Sequence, residues 1–158
     1  MMALWNRESR AATAGLTLLR MTAGVILAAH GWEKLVGYQE WHDNVAGMGL
    51  PLPAVMAALS IAAELGGGVA LVLGLLTRVA ALGIVVNMAV AIATVHFSHG
   101  LFARDNGFEY PLLLLVTGLF FMLRGAGAVS LDAMWSRPGE RAQVEHARYG
   151  GRREYPAH

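Results

Sequence analysis

The chain has 158 residues, of which 56% are apolar and 15% charged, with a formal net charge of +1 and no cysteine. Soluble domains carry about 25% charged residues, and a charge this close to zero gives no basis for nucleic-acid binding. Without a thiol the chain cannot perform dithiol chemistry, bind metal through thiolate or hold a disulfide, so any thiol reaction near it belongs to a partner.

Residues 1–11 are polar and basic, with Arg7 and Arg10. Four apolar blocks come next: Ala12 to Trp32, interrupted by Arg20, then Pro53 to Leu76, Arg78 to Phe97, and Tyr110 to Leu123, which is the shortest. A bilayer crossing needs roughly 20 apolar residues. Backbone groups in lipid must hydrogen-bond within their own segment, so each block is expected to be a helix. The expected fold is an all-α membrane protein: a cytoplasmic segment at 1–11, an antiparallel bundle of four transmembrane helices at 12–129, and a polar basic tail at 130–158. The last residues of that tail read as disordered.

The connections differ in kind. Leu75-Leu76-Thr77-Arg78 predicts a tight antiparallel hairpin between blocks two and three. The first connection, Glu33 to Leu52, is long and carries Tyr38 and Trp41, residues that favour the headgroup region; part of it is expected to lie on the membrane. The third connection carries His99, Phe102, Arg104 and Asp105.

Orientation comes from the cations. With the N-terminus inside, Arg7, Arg10, Arg20, Arg78, Arg124 and five tail arginines fall on the inner side, and only Lys34 and Arg104 outside. That is 10 against 2 of the 12 Lys and Arg residues, which predicts both termini in the cytoplasm. A cleaved signal peptide ending near Ala28-Ala29 is the competing reading. Arg20 splits its apolar core, and the three remaining spans break the agreement with charge.

Ionisable residues within a span are functional candidates, because leaving them in lipid costs several kcal/mol. Arg20, His30, Glu64 and His96 qualify. Glu64 is near mid-span and shares a face with Ser60, Gly67, Gly68 and Leu71, so it is expected to point into the bundle. Arg20 is long enough to reach toward it. The two form either a structural ion pair or a polar functional site. His30, Glu33 and Lys34 end the first helix, His96 and His99 the third, and Glu109 and Tyr110 begin the fourth. All three ends converge on the outer side. His30 and His96 are candidates for proton handling, or for two axial haem ligands. Lys34, Glu64 and Glu109 are candidates for cofactor contact. The plain alternative is that polar residues gather where helices meet water, and no tight metal-ligand motif is present. Asn87 reads as an interhelical hydrogen-bonding residue. It lies nine residues before His96, about 180° around a regular helix, so the two share an interior only if the helix is distorted. The Gly-Gly-Gly run at 66–68 is mid-span and lacks the Lys-Ser/Thr of a phosphate loop.

These residues also carry a resemblance. Leu19-Arg20, Gly24 and His30-Gly31-Trp32-Glu33-Lys34-Leu35 resemble the first helix of the DoxX family. Gly49-Leu50-Pro51 is similar to its first loop. Glu64-Leu65-Gly66-Gly67 through Leu73-Gly74-Leu75-Leu76-Thr77-Arg78 resembles its second helix and hairpin turn. The resemblance covers about residues 15–125 and leaves out the basic tail. It implies a four-helix, multi-pass protein of the bacterial inner membrane, and Arg20, Gly31, Lys34, Glu64, Gly67, Gly74 and Arg78 match the family's recurring pattern. Members of the wider group include a subunit of thiosulfate:quinone oxidoreductase. Others are tied to membrane-bound thiol and oxidative-stress systems or to methylamine dehydrogenase maturation.

Three functional readings are open. The first is a membrane subunit of a quinone-linked oxidoreductase or oxidative-stress system, with quinone or haem as the cofactor and a soluble redox protein as partner. The second is a non-catalytic anchor or assembly factor, with the tail contacting a partner or lipid headgroups. The third is a small-solute transporter, which four short helices accommodate only as a homo-oligomer.

Overall fold

The computed structural model describes the backbone of residues 2–136 and side chains from Arg10 onward. Most of the expected tail, from Arg137 to the end, lies outside the described residues. Among the described residues the ordered elements are helices, with no strand. Helix α1 (Met2–Val36) runs unbroken from the polar start through the first apolar block. Helix α2 (Tyr38–Gly47) comes directly after it and carries Tyr38 and Trp41. Helix α3 (Pro53–Leu73) opens on a proline at a position where its missing N–H costs nothing. Helix α4 (Thr77–His99) leads through a short loop to α5 (Glu109–Arg124), and α6 (Leu131–Ser136) closes the described chain.

Three stretches are long and apolar enough to cross a membrane: Arg10–Val36, Pro53–Leu73 and Thr77–His99, with 27, 21 and 23 residues. Helix α5 has 16 residues. At 1.5 Å per residue it reaches about 24 Å, less than the roughly 30 Å of a hydrocarbon core. Leu18, Val25, Val69, Val79, Leu113 and Leu123 are exposed around the bundle. So much open apolar surface suits lipid and not water.

Glycines set how α1 meets α3. A Cβ on Gly31 would overlap the backbone of Leu65, one on Gly68 would meet the amide of Ala28, and one on Gly24 would lie 2.7 Å from the Gly68 carbonyl and 2.9 Å from the Val72 amide. Small residues that let backbones touch are what holds helices together in lipid, where no hydrophobic force drives them. The contacts make α1 and α3 antiparallel, with Gly31 across from Leu65 and Ala28 across from Gly68. That register sets Arg20 level with Leu76, at the hairpin end of the bundle, and Lys34 level with Ala62. Helix α5 approaches α4 through Gly118, whose Cβ would come 2.9 Å from the Val85 side chain. Leu27, Leu71, Ala81, Ile84, Met88, Leu114 and Phe121 form the core between these helices.

The hairpin end is closed by a polar clamp. Gly74 ends α3 in the left-handed region (φ +65°), and a Cβ there would collide with the Arg20 guanidinium. Arg20 is 2% exposed. Its Nη1 donates to the Ala126 carbonyl at 3.2 Å and its Nη2 to the Val129 carbonyl at 2.8 Å. The Asp132 amide donates to the Gly74 carbonyl at 2.9 Å. In return its carboxylate accepts from the amides of Leu76 (2.7 Å) and Thr77 (3.0 Å), the unpaired donors at the start of α4. Asp132 thus caps a helix from 55 residues away in sequence.

Burial alone would raise the Asp132 carboxyl pKa. The hydrogen bonds from Thr77 and Leu76 and the charge of Arg20 outweigh it and hold the group below its ordinary value. A depressed folded-state value means the stability is fully present above the unfolded pKa of about 4 and is lost as pH falls through the folded one. Asp132→Asn sets an NH2 against one of the two backbone amides in place of an accepting oxygen, and is expected to cost about 1 kcal/mol at neutral pH, the scale of one hydrogen bond. The gap to wild type should close in acid, as thermal unfolding in detergent across about pH 3 to 7 would show, a range that brackets ordinary carboxylate titration.

Candidate functional site

Glu64 occupies a π turn, Ala62–Gly66, set into α3, and a second π turn, Ile92–His96, is set into α4. Single π turns inside α-helices are rare and recur at functional sites. Glu64 is 4% exposed, as its expected inward direction requires. Its partner, however, is Lys34 and not Arg20. Lys34 Nζ lies 2.6 Å from Glu64 Oε1 and 3.5 Å from Ser60 Oγ. The Arg20–Glu64 pairing is overturned by the register of α1 on α3. Arg20 and Lys34 are 14 residues apart on one helix, about 21 Å along its axis, and only Lys34 is level with the carboxylate.

Asn87 Nδ2 donates to the same Glu64 Oε1 at 2.9 Å, so Asn87 is the interhelical hydrogen-bonding residue it was expected to be. One carboxylate oxygen therefore joins α1, α3 and α4. Lys34 Nζ also sits 4.0 Å from the centroid of the Trp41 ring, bringing in α2. A cation over an aromatic face in a desolvated site gains about 2 kcal/mol, which helps hold the lysine over the carboxylate.

These groups line a cavity of about 640 Å³ in the half of the bundle away from the hairpin. All of α1 to α5 contribute to its wall, which is mostly apolar: Leu27, Val45, Met56, Met88 and Leu114 are among its residues. Leu59 on α3 and Val86 and Val90 on α4 line it while being 57%, 55% and 40% exposed at the surface. The cavity thus opens sideways between α3 and α4, whose mutual contacts concentrate on the hairpin half of α3 and the π turn.

Both candidate histidines reach this cavity. The His30 ring packs against Tyr110 at 5.7 Å between centroids, and its Nδ1 is 4.0 Å from Glu33. His96 Nδ1 lies 2.7 Å from the Asn106 carbonyl. A carbonyl only accepts, so Nδ1 carries the proton and Nε2 is the free nitrogen. His99 Nδ1 is committed in the same way to the Val95 carbonyl at 2.7 Å. The α4 π turn explains how Asn87 and His96 share one interior. One extra residue in the turn rotates the remainder of the helix by about 100° and offsets much of the half-turn between them. Glu109 is elsewhere: its carboxylate accepts from the Ala103 amide at 2.6 Å and shapes the loop, and it does not line the cavity. Arg20 does not line it either. Among the described residues no cluster of three or more His, Asp or Glu side chains is placed to hold a metal.

Three buried polar atoms in the lining have no partner in the protein: Glu64 Oε2, Trp41 Nε1 and Tyr110 Oη. Buried polar groups are nearly always paired, and each exception needs a reason. Here they supply one acceptor, one donor and one group that can be either, on residues that line an otherwise apolar space. Sequence reasoning did not single out Trp41 or Tyr110 as site residues. Trp41 read as a headgroup residue, and Tyr110 only as the start of a helix.

A family model for DoxX matches residues 15–97. The inner membrane protein YqjF of Escherichia coli (strain K12) is 30% identical over 126 residues, covering 78% of this chain and 93% of the relative. A protein of Bacillus subtilis (strain 168) named putative oxidoreductase CatD is 34% identical over 118 residues, covering 75% and 84%. The inner membrane protein YphA of Escherichia coli (strain K12) is 27% identical over 122 residues, covering 74% and 87%. No solved structure matches the chain. The matched span takes in α1 through α4, including Lys34, Glu64 and Asn87, and the chain belongs to the DoxX family.

Proposed function

We propose that this protein is a bacterial inner-membrane subunit of a quinone-linked redox system, and that its cavity binds the quinone-type ring. The observation that carries the reading is the lateral, lipid-side cavity with a buried, partly unpaired polar cluster at its base. A quinone arrives from the bilayer on an apolar tail and needs hydrogen-bonding groups for its ring oxygens. The cavity, at about 640 Å³, is within the roughly 300–1,000 Å³ range of small-molecule sites. Trp41 Nε1 and Tyr110 Oη are the free donors for a ring oxygen. Lys34 neutralises Glu64 and is itself held by Trp41. Haem is the competing ligand: His96 donates its Nδ1 proton to the Asn106 carbonyl and keeps Nε2 free, and His30 packs at a 56° tilt against Tyr110, whereas the unpaired polar atoms of Trp41 and Tyr110 favour ring oxygens over iron. The name of the Bacillus subtilis relative also points toward redox chemistry.

The reading includes the topology. Helix α5 is taken as the fourth span, shortened but packed against α4, and the 10-to-2 cation bias supports both termini in the cytoplasm. The lateral cavity then lies in the outer half of the membrane, and the Arg20 clamp at the inner surface.

The test is binding. Detergent-purified protein is expected to yield quinone in a lipid extract, and to show saturable quenching of tryptophan fluorescence by a short-chain benzoquinone couple. Ala91 lines the cavity, so Ala91→Phe should fill part of it and weaken binding at least about tenfold, the scale of one to two kcal/mol of overpacking. A haem Soret band with no quinone, or titrations unaffected by Ala91→Phe, would sink the proposal.

A further inference from the structure

The cavity's unpaired groups distinguish between the two redox forms of its ligand. Glu64 Oε1 already takes hydrogen bonds from Lys34 and Asn87. Both donors fall on one oxygen, one of them the Lys34 ammonium in an ion pair, and Oε2 is left buried without a donor. A carboxylate oxygen can only accept. A quinone carries carbonyl oxygens alone, which also only accept, so a quinone oxygen beside Oε2 sets two lone pairs against each other in a dry site. A quinol hydroxyl does the reverse. It donates its hydrogen to Oε2 and still offers lone pairs to Trp41 Nε1 or Tyr110 Oη. An aromatic hydroxyl can both donate to an acceptor and accept from a donor, which no carbonyl can.

We propose that the cavity selects the reduced, hydroxyl-bearing form of its ligand, a quinol, and that Glu64 makes the selection by accepting a hydrogen bond from a ring hydroxyl through Oε2. This rests on the quinone-site reading above and adds to it which redox form the site holds. Lys34 and Asn87 are positioning residues in this arrangement. They occupy Oε1 and so leave Oε2 as the one oxygen available to the ligand. The proton on the bound hydroxyl then already lies against a base, where a quinol giving up electrons to a partner would release it.

The experiment uses the full chain in detergent under argon and one probe couple, decyl-benzoquinone and its chemically reduced quinol, each titrated by tryptophan fluorescence. Wild type is expected to bind the quinol about tenfold or more tightly than the quinone, the weight of one hydrogen bond to a charged acceptor. Glu64→Gln, whose amide can also donate to a carbonyl, should bring the two affinities within about threefold, since a neutral hydrogen bond carries less. An independent readout needs no variant: a tenfold preference raises the midpoint potential of the bound two-electron couple by about 30 mV over the free one. Equal affinities, tighter quinone binding, a lowered potential, or a preference unchanged in Glu64→Gln would each overturn the selection while leaving the quinone site in place. Absence of binding by either form would overturn both.

Discussion

Replacing Lys34 with methionine is expected to destabilise the protein by about 3–5 kcal/mol, the cost of leaving a buried charge without its partner. The Glu64 side chain is 5% exposed and its Oε1 is 2.6 Å from Lys34 Nζ. Methionine keeps the length and apolar stem of lysine, so packing against Trp41 survives and the charge is what is lost. Asn87 would remain as the donor to Oε1. Neutral hydrogen bonds between membrane helices average only about 0.6 kcal/mol, too little to compensate a carboxylate. The decisive comparison is the double variant Lys34→Met/Glu64→Gln. With both charges gone, the introduced side-chain amide still accepts from Asn87 and no buried ion is left, so most of the lost stability should return. Thermal or SDS unfolding of wild type, the two single variants and the double variant in one detergent gives the coupling directly. A Lys34→Met single variant as stable as wild type would mean that the pair does not form in the membrane.

How much of this could be read beforehand divides along a physical line. The helices were legible because a run of apolar residues long enough to cross lipid has few other structures open to it. Glu64 facing the interior was legible because exposing it to lipid is costly and its face carries small residues. The identity of its partner was not. Pairing between helices depends on register, and register here is set by where Gly24, Gly31 and Gly68 meet the neighbouring backbone. A glycine in a sequence announces that something comes close and does not say what. Depth alone left Arg20 the nearer-looking cation, because the first apolar block was ended at Trp32 and Lys34 was placed in the outer connection, whereas the helix runs on to Val36. The shared interior of Asn87 and His96 needed an extra residue in the α4 turn, and Ile92-Ala93-Thr94-Val95-His96 has no composition that marks a π turn. Trp41 was hidden for a related reason: a tryptophan near a membrane surface has an ordinary explanation, and only its position over Lys34 gives it another.

Several of the residues that carried the family resemblance turn out to be one another's neighbours. Arg20 packs against Gly74, Lys34 pairs with Glu64, and a Cβ on Gly67 would press on Ile84 of α4. Gly125, at the end of α5, lies over the Arg78 side chain, 3.5 Å from where its Cβ would stand. The pattern thus describes two stations on the α1–α3 seam. One closes the hairpin end through Arg20 and the chain after α5, and the other builds the cavity through Lys34 and Glu64. Between them the glycine contacts fix the distance along the seam, so a change at the seam reaches both.

Gly31→Ala is therefore expected to be among the most damaging small substitutions at the described glycines. The added carbon would collide with the amide and Cα of Leu65. Backbone cannot rotate away as a side chain does, so α1 and α3 must separate. Overpacking of one to two carbons costs about 1–3 kcal/mol where side chains can yield, and more is expected where they cannot. Gly15→Ala makes the same chemical change on the same helix with nothing within 4 Å of the new carbon. There the gain in helix propensity, about 1 kcal/mol, should show as a small stabilisation. Opposite signs for one substitution at two sites of α1 would be direct evidence for the register. The consequence for function comes from geometry. Lys34 is less than one turn beyond Gly31, so moving α1 off α3 lengthens the 2.6 Å contact with Glu64 and loosens the cavity wall. Quinol binding should fall in Gly31→Ala and stay at the wild-type level in Gly15→Ala. If both variants unfold alike, or if Gly31→Ala binds normally, the backbone contact at Leu65 is not what holds the site together.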